Sequence, residues 1–432
     1  MLVFLAGMVV GRAGLFPYPL LNAAWDALDD WRENWRHYLG LRSKYLEPTT
    51  RTAGGVTIHD KDLAFDGLTF VAAYREGRYD AWLLDMDGRT VHRWDATFSR
   101  IWPDPSHLDA VGWDGSMEIH GAWLYPDGDV LLDLGGAGTA KLDRCSNVLW
   151  TVDRHTHHHV EPLPDGGAVI PSRVQRFAPQ PARPLVNVGP NGFYWDDTIL
   201  IVGPDGKVRE EESVIDILYR SGWASVLLST PGSAKALRTE DPVHLNDAEV
   251  LSPALAPKFP MFAAGDIMLS LRGPNALVVV EPGTWRVKWV QMGPFIGQHD
   301  PDFLPNGHIL VYDNRITGST PKLGNTRLVE IDPATHQVVW TYEGEGDQAF
   351  YGESRGEQEL LPNGNILISD SHHGRVFEIA PAAGNKTVWE WVNLVEPGYA
   401  GLVTDVQRIP RDAVSWVGQP CAGGGIPVAG GS

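Results

Sequence analysis

Cysteine, positive charge and long apolar runs are all scarce in this chain. The two cysteines, Cys145 and Cys421, leave two readings. The simpler is a pair of unrelated thiols. The other is one disulfide pinning the C-terminal tail to the body, which requires a compartment outside the cytoplasm. Lys and Arg number 35 against 54 Asp and Glu, a net charge of −19. A phosphate backbone would be repelled, which argues against nucleic acid as a partner. Local field and net charge are separate matters, so a small anionic substrate stays open. The one strongly apolar stretch runs from Met1 to Val10, is interrupted by Arg12 and resumes from Phe16 to Leu21. That is short for a membrane span of ~20 residues. No basic region precedes it and no small-residue cleavage site follows. It reads as an uncleaved signal anchor, with an interfacial segment or an apolar arm on the body as alternatives.

What is present points to sheet. A hydrophobic share of 43%, with 47 Gly and 32 Pro, suits many short strands joined by turns. Seventeen tryptophans are many for this length. Residues 22–46 read as a helix, because Trp25, Leu28, Trp35 and Leu39 share one face. That face either packs on the domain or lies at a bilayer surface with tryptophans at headgroup level.

Two devices recur. In the first, a histidine stands six positions before the proline of a tight turn: His120 before Pro126-Asp127-Gly128, His158 before Pro164-Asp165-Gly166, His299 before Pro305-Asn306-Gly307. A fourth copy, at Pro362-Asn363-Gly364, has Gly356 at that address with Arg355 beside it. His244 opens a fifth that lacks the turn. In the second, paired apolar strands end in tryptophan, at Trp94, Trp150, Trp289, Trp340 and Trp389, the last three about 50 residues apart. Four short strands per period are the content of one propeller blade. The expected fold is therefore all-β, a six-bladed β-propeller. Its blades span 60–98, 117–153, 156–216, 242–292, 297–343 and 353–393. The strand from Leu402 to Ile409 pairs into the first blade and closes the ring, which removes exposed edges. A helix from Ile215 to Leu228 and a loop form an insertion between blades three and four. The division is an apolar and helical segment over 1–50, the propeller over 51–417, and a Gly-rich tail over 418–432. A two-sheet sandwich, or two small β domains, is the rival architecture.

Propeller geometry decides which residues meet. The first strand of a blade starts at the mouth where the second ends, so the repeated histidines face residues placed seven after the turn glycine. One mouth then collects His120, His158, His244, His299, Arg173, Arg272 and Asn314, with Asn246 on the strand face of His244. Arg272 carries more weight than Arg173, because its run from Met268 is otherwise apolar. Within His155-Thr156-His157-His158-His159, strand alternation sends only His158 to the channel. The others form an exposed patch or bind a metal opportunistically.

These residues carry a resemblance. Asp241-Pro242-Val243-His244-Leu245-Asn246, Ser270-Leu271-Arg272, Gln298-His299-Asp300 with the run from Leu304 to Asn314, and His157-His158 look like the bacterial arylsulfate sulfotransferase family. The similarity covers most of residues 60–395. It implies an exported six-bladed propeller without a nucleotide donor or cofactor, which moves sulfate from an aryl sulfate to a phenol through a sulfated histidine. By that resemblance His299 is the nucleophile, His244 and Asn246 are its neighbours, Arg272 clamps the sulfate, and His158 is a further channel histidine. Asn246, His120, Asn314 and Arg173 are expected to contact substrate, and no metal is expected. The implied location is periplasmic, anchored to the inner membrane through residues 1–46, with a membrane complex or homo-oligomer open. The inventory suits the chemistry: a neutral imidazole can attack sulfur and split one hard transfer into two easier ones. Two rival readings stand beside it. Four histidines from four blades could ligate a divalent metal, although Arg272 at the same mouth opposes a cation there. Alternatively the propeller is a non-catalytic binder or a lyase acting on anionic ligands.

Overall fold

The structure is a computed structural model that describes residues 42–108, 113–230, 239–315 and 324–421, together with Leu28, Trp31, Arg32, Trp35 and Leu39. The apolar N-terminal stretch, Trp25 and most of the Gly-rich tail lie outside the described residues. Leu28, Trp31, Arg32 and Trp35 are helical, as the spacing predicts. The helix does not reach residue 46, however: Leu46–Pro48 is a strand paired with Tyr399–Gly401 in a small three-stranded sheet. No helix among the described residues is long and apolar enough to cross a membrane.

Alternating and continuous apolar runs fold into successive antiparallel four-stranded sheets. The second sheet shows the plan: Ile119–Leu124, Val130–Leu134, Gly138–Leu142 and Val148–Val152 pair in chain order. The turn between its first two strands closes through Gly128 N–H to Tyr125 O at 3.0 Å, with Gly128 at φ +92°. Only glycine adopts that conformation without strain, so the Pro-Asp-Gly sequence dictates the reversal.

Each pair of neighbouring sheets buries its own apolar layer. Phe70 and Leu83 of the first sheet pack on Leu124 and Leu132 of the second. Leu131 and Val152 meet Ile170 and Leu200, Val169 and Ile199 meet Leu269 and Val278, and Met268 and Leu277 meet Ile309 and Val311. Leu310 and Leu328 then meet Ile368 and Phe377. Finally Leu367 and Val376 return to Val71 and Leu84 of the first sheet. The order is circular, which is the arrangement of a β-propeller.

The ring is fastened from both ends of the chain. Val403–Ile409 forms the inner strand of the first sheet, beside Leu68–Arg75, as expected. Gly55–His59 adds a fifth strand outside Lys386–Val392 in the last sheet. Three of the five recurrent tryptophans tie sheets together. Trp94 donates Nε1–H to Gly128 O, Trp289 to Pro333 O and Trp389 to Met86 O, each at 3.0 Å and each in a neighbouring sheet. Helix Val214–Arg220 and the 3-10 turn Ala224–Ser229 occupy the expected insertion and bury Ile215, Leu218 and Leu227. The two cysteines are not separate thiols: Cys145 and Cys421 are bonded, with Cα atoms 5.6 Å apart.

Candidate functional site

The start of each inner strand is irregular. The pairing register slips between Ile119 and Gly121, Leu245 and Asp247, His299 and Asp302, and Val403 and Asp405. His158, His244 and Arg355 adopt φ of +65°, +52° and +65°. The left-handed residues cost about 1–3 kcal/mol each, and with the bulges they re-aim side chains, here into the central opening. The second strand ends beside them, because Arg272 N–H donates to His244 O at 3.0 Å.

A cleft of about 430 Å3 opens there, lined by His120, His158, His244, His299, Arg173 and Arg272. Six of the eight expected site residues therefore meet at one mouth. Ring centroids of His120 and His158 are 4.0 Å apart, those of His158 and His244 5.2 Å, and those of His158 and His299 6.3 Å. The close approach of His158 to the second sheet depends on Gly121, where a Cβ would stand 2.0 Å from His158 O.

The other two expected residues sit behind the imidazoles. Asn314 is fully buried and its Nδ2 donates to Gly352 O and Arg355 O, so its Oδ1 faces His299 Nδ1 at 2.8 Å. It orients His299 instead of lining the cleft. Asn246 donates to Gln298 O at 2.7 Å and lines a smaller space beneath, because the bulge after Leu245 turns it from the face of His244. The strand alternation expected for 155–159 also fails. His157 joins the cleft, with its Nδ1 2.7 Å from His158 Nδ1, while His159 points deeper into the channel. The left-handed His158 between them breaks the two-residue period.

Several residues were not anticipated. Asp241 Oδ2 lies 2.5 Å from His244 Nδ1, leaving Nε2 to the cleft. Arg355 lines the cleft and is held by Glu118 through Nε and Nη2 at 2.6 and 2.8 Å. Its backbone N–H donates to His299 Nε2 at 3.1 Å. Tyr45 and Lys44 close one side. The sequence carried signals for two of these: Asp241 stands three residues before His244, and Arg355 adjoins the fourth repeat address.

The electrostatics favour an anion beside neutral imidazoles. Burial, then the Arg355 cation and neighbouring imidazoles, holds His120 well below the ordinary histidine range. Burial and Arg272 do the same for His299, and burial with the surrounding histidines does so for His158. Burial pushes the Asp241 carboxyl up, but His244 and Arg173 outweigh it, and the group stays ionised below its usual range. Arg272 Nε and Arg173 Nε are buried without a hydrogen-bond partner. Among the described residues neither guanidinium has an ion-pair partner, although Arg173 stacks 4.2 Å over the Trp195 ring. A second cavity, of about 480 Å3, is lined by Asp370, Arg375 and Glu390, but its Arg375 is already neutralised by Glu390 at 2.5 Å.

The tightest sets of metal-ligating side chains among the described residues all centre on His159 and contain none of the four cleft histidines.

Comparison with known proteins adds one match that covers well over half of the chain: the family profile described as arylsulfotransferase (ASST) aligns with residues 122–393. No curated protein sequence matches. Among solved structures, a protein of unknown function from Bacteroides caccae is similar at a TM-score of 0.48 and 13% identity, over 80% of this chain and 99% of that one. Virginiamycin B lyase from Staphylococcus aureus gives 0.41 and 9%, over 83% and 99%. The WD40 propeller domain of Doa1 gives 0.39 and 12%, over 84% and 87%.

Proposed function

Because the chain belongs to the arylsulfotransferase family, we propose that it is a six-bladed propeller enzyme moving sulfate from an aryl sulfate to a phenol through a sulfated histidine, without a nucleotide donor. The observation that carries this reading is the pair of half-buried guanidiniums, Arg272 and Arg173, whose Nε atoms are buried without a partner and which lack a carboxylate partner beside a neutral His299. Cations left unpaired in a buried cleft suit an incoming sulfate, whose oxygens accept charge-assisted hydrogen bonds.

His299 is the proposed nucleophile. Asn314 Oδ1 accepts from Nδ1–H, which puts the lone pair on Nε2 at the cleft. Nε2 attacks sulfur, the S–N bond forms, and the S–O bond to the phenolate breaks. The Arg355 N–H that rests on Nε2 shifts to a sulfate oxygen, and Arg272 and Arg173 hold the others as charge develops. His244 enters the cycle protonated on both nitrogens, with Nδ1–H held by Asp241; its Nε2–H passes to the departing phenolate, and Nε2 then takes a proton from the acceptor phenol, which attacks the sulfohistidine. A second reading exchanges the two imidazoles, since His244 Nε2 has no hydrogen-bond partner among the described residues. The Cys145–Cys421 bond supports an extracytoplasmic, periplasmic location.

The test is transfer from para-nitrophenyl sulfate to a second phenol. His299→Asn is expected to abolish it, and normal turnover in that variant would overturn the assignment of His299.

A further inference from the structure

Below the cleft the inner strands turn a set of carboxylates into the channel. Most of them have a structural task. Asp405 accepts from Ala122 N–H, Asp300 from Gln358 N–H and Glu357 from Val406 N–H, each at 2.6 Å and each between neighbouring sheets. One oxygen of each carboxylate thus ties two inner strands together, in place of the ladder bonds that strands of different sheets do not make.

Asp247 departs from this pattern. It is 3% exposed, and its Oδ1 is buried without any hydrogen-bond partner. Its neighbour Asn246 is equally buried. Asn246 spends its Nδ2 on Gln298 O, and its Oδ1 also has no partner. Leaving a buried acceptor unpaired costs about 1–3 kcal/mol, and more for a charged group. Two such orphans side by side call for a donor or a cation.

The space they face has the dimensions for an ion. Asn246, Asp247, His159 and Asp300 line a cavity of about 40 Å3 directly under His120, His158 and His299. One ligating atom from each of His159, Asp247 and Asp300 lies within 4.8 Å of the others. His159 Nδ1 is 3.9 Å from Asp247 Oδ2. A void of this size holds one water-sized particle, above the ~10–15 Å3 minimum.

We infer that this cavity binds one divalent cation through Asp247, Asp300 and His159, with Asn246 Oδ1 as a further donor. Three oxygens and one imidazole nitrogen suit Mn2+, which accepts both donor types, and Ca2+, which favours the oxygens. A cation here would hold the third, fourth and fifth sheets together at the axis and offset a negative channel beneath an anion-binding mouth. The inference stands on channel residues alone and does not depend on the sulfate-transfer reading.

The experiment strips the full-length protein with a chelator and titrates it with MnCl2 and, separately, CaCl2 by calorimetry, with thermal melting in parallel. At least one metal should saturate a single site per chain and raise the Tm. Asp247→Asn and Asp300→Asn should each weaken that site roughly tenfold or more. If either variant fails to fold, Mn2+ electron paramagnetic resonance on the parent protein decides, through the presence or absence of a bound-ion spectrum. Absence of saturable binding by both metals would overturn the inference, as would parent-like affinity in both variants.

Discussion

The backbone N–H of Arg355 donates to His299 Nε2, so the nitrogen best placed to attack a substrate is already capped in the resting site. Arg355 reaches that position in a left-handed conformation at φ +65°, and its guanidinium is anchored by Glu118. The cap and the anchor belong to one residue. What holds the guanidinium therefore also holds the N–H on His299.

Removing the anchor's charge should be felt by an anionic donor. Glu118→Gln leaves the Arg355 cation uncompensated in the cleft. The KM for para-nitrophenyl sulfate is expected to fall by roughly threefold, with a steeper dependence on salt. Steady-state kinetics at two ionic strengths provide the check. An unchanged KM with unchanged salt dependence would show that Arg355 does not meet the donor.

Asp241 should matter through orientation. In Asp241→Asn the amide can present the wrong partner to His244 Nδ1 and favour the wrong tautomer. The expected loss in kcat is about 10²- to 10⁴-fold, with little change in KM. A loss confined to KM would mean that Asp241 serves binding instead.

Much of this site is legible in the sequence, and the reasons for the exceptions are local. The spacing between His120, His158 or His299 and its turn proline survives folding, because strand length and the glycine turn fix it. The pairing of Arg272 N–H with His244 O follows from the same count. Asn246 and the run from His157 to His159 were misread for a common reason. Asn246 lies at a register slip that follows the left-handed His244, and the run from His157 to His159 contains the left-handed His158, so the two-residue alternation lapses in both. Arg355 was passed over because Gly356 occupies the repeat address, and only the left-handed backbone swings the preceding side chain inward. The Cys145–Cys421 bond could not be read from a separation of 276 residues, since only ring closure brings the tail back to the second sheet.

That bond should contribute strongly to stability. It ties the segment after the closing strand Val403–Ile409 to the second sheet, where Trp416 donates to Pro126 O at 2.9 Å. Replacing both cysteines by serine is expected to cost about 2–5 kcal/mol, measured by denaturant unfolding. A loss under about 0.5 kcal/mol, the range of ordinary surface substitutions, would mean that packing alone closes the ring.

The channel acids set a pH dependence of stability. Glu359 is half-buried, and desolvation first raises its carboxyl from 4.5 to about 8, against the Arg408 N–H bond. A folded pKa above the unfolded one means that the folded state holds the extra proton between those values. Stability contributed by that proton is present below about pH 4.5 and is lost as pH rises through about 8. Glu359→Gln should flatten the decline in Tm between pH 5 and 9 relative to the parent. An identical decline in both proteins would contradict the assignment.

Depressed imidazoles place the acid limb of catalysis low. Burial and Arg272 keep His299 neutral well below the usual histidine range. The kcat/KM for donor desulfation should therefore stay level as pH falls through about 6.5, the ordinary histidine value. An acid limb centred at or above that value would contradict a buried, neutral nucleophile.

The most direct measurement traps the enzyme midway. Protein mixed with excess para-nitrophenyl sulfate and no acceptor, quenched at high pH and weighed intact, should carry one sulfo group that maps to the peptide bearing His299 and disappears on addition of phenol. A protein that releases para-nitrophenol with no adduct on any histidine, or retains the adduct in His299→Asn, would contradict covalent transfer through His299.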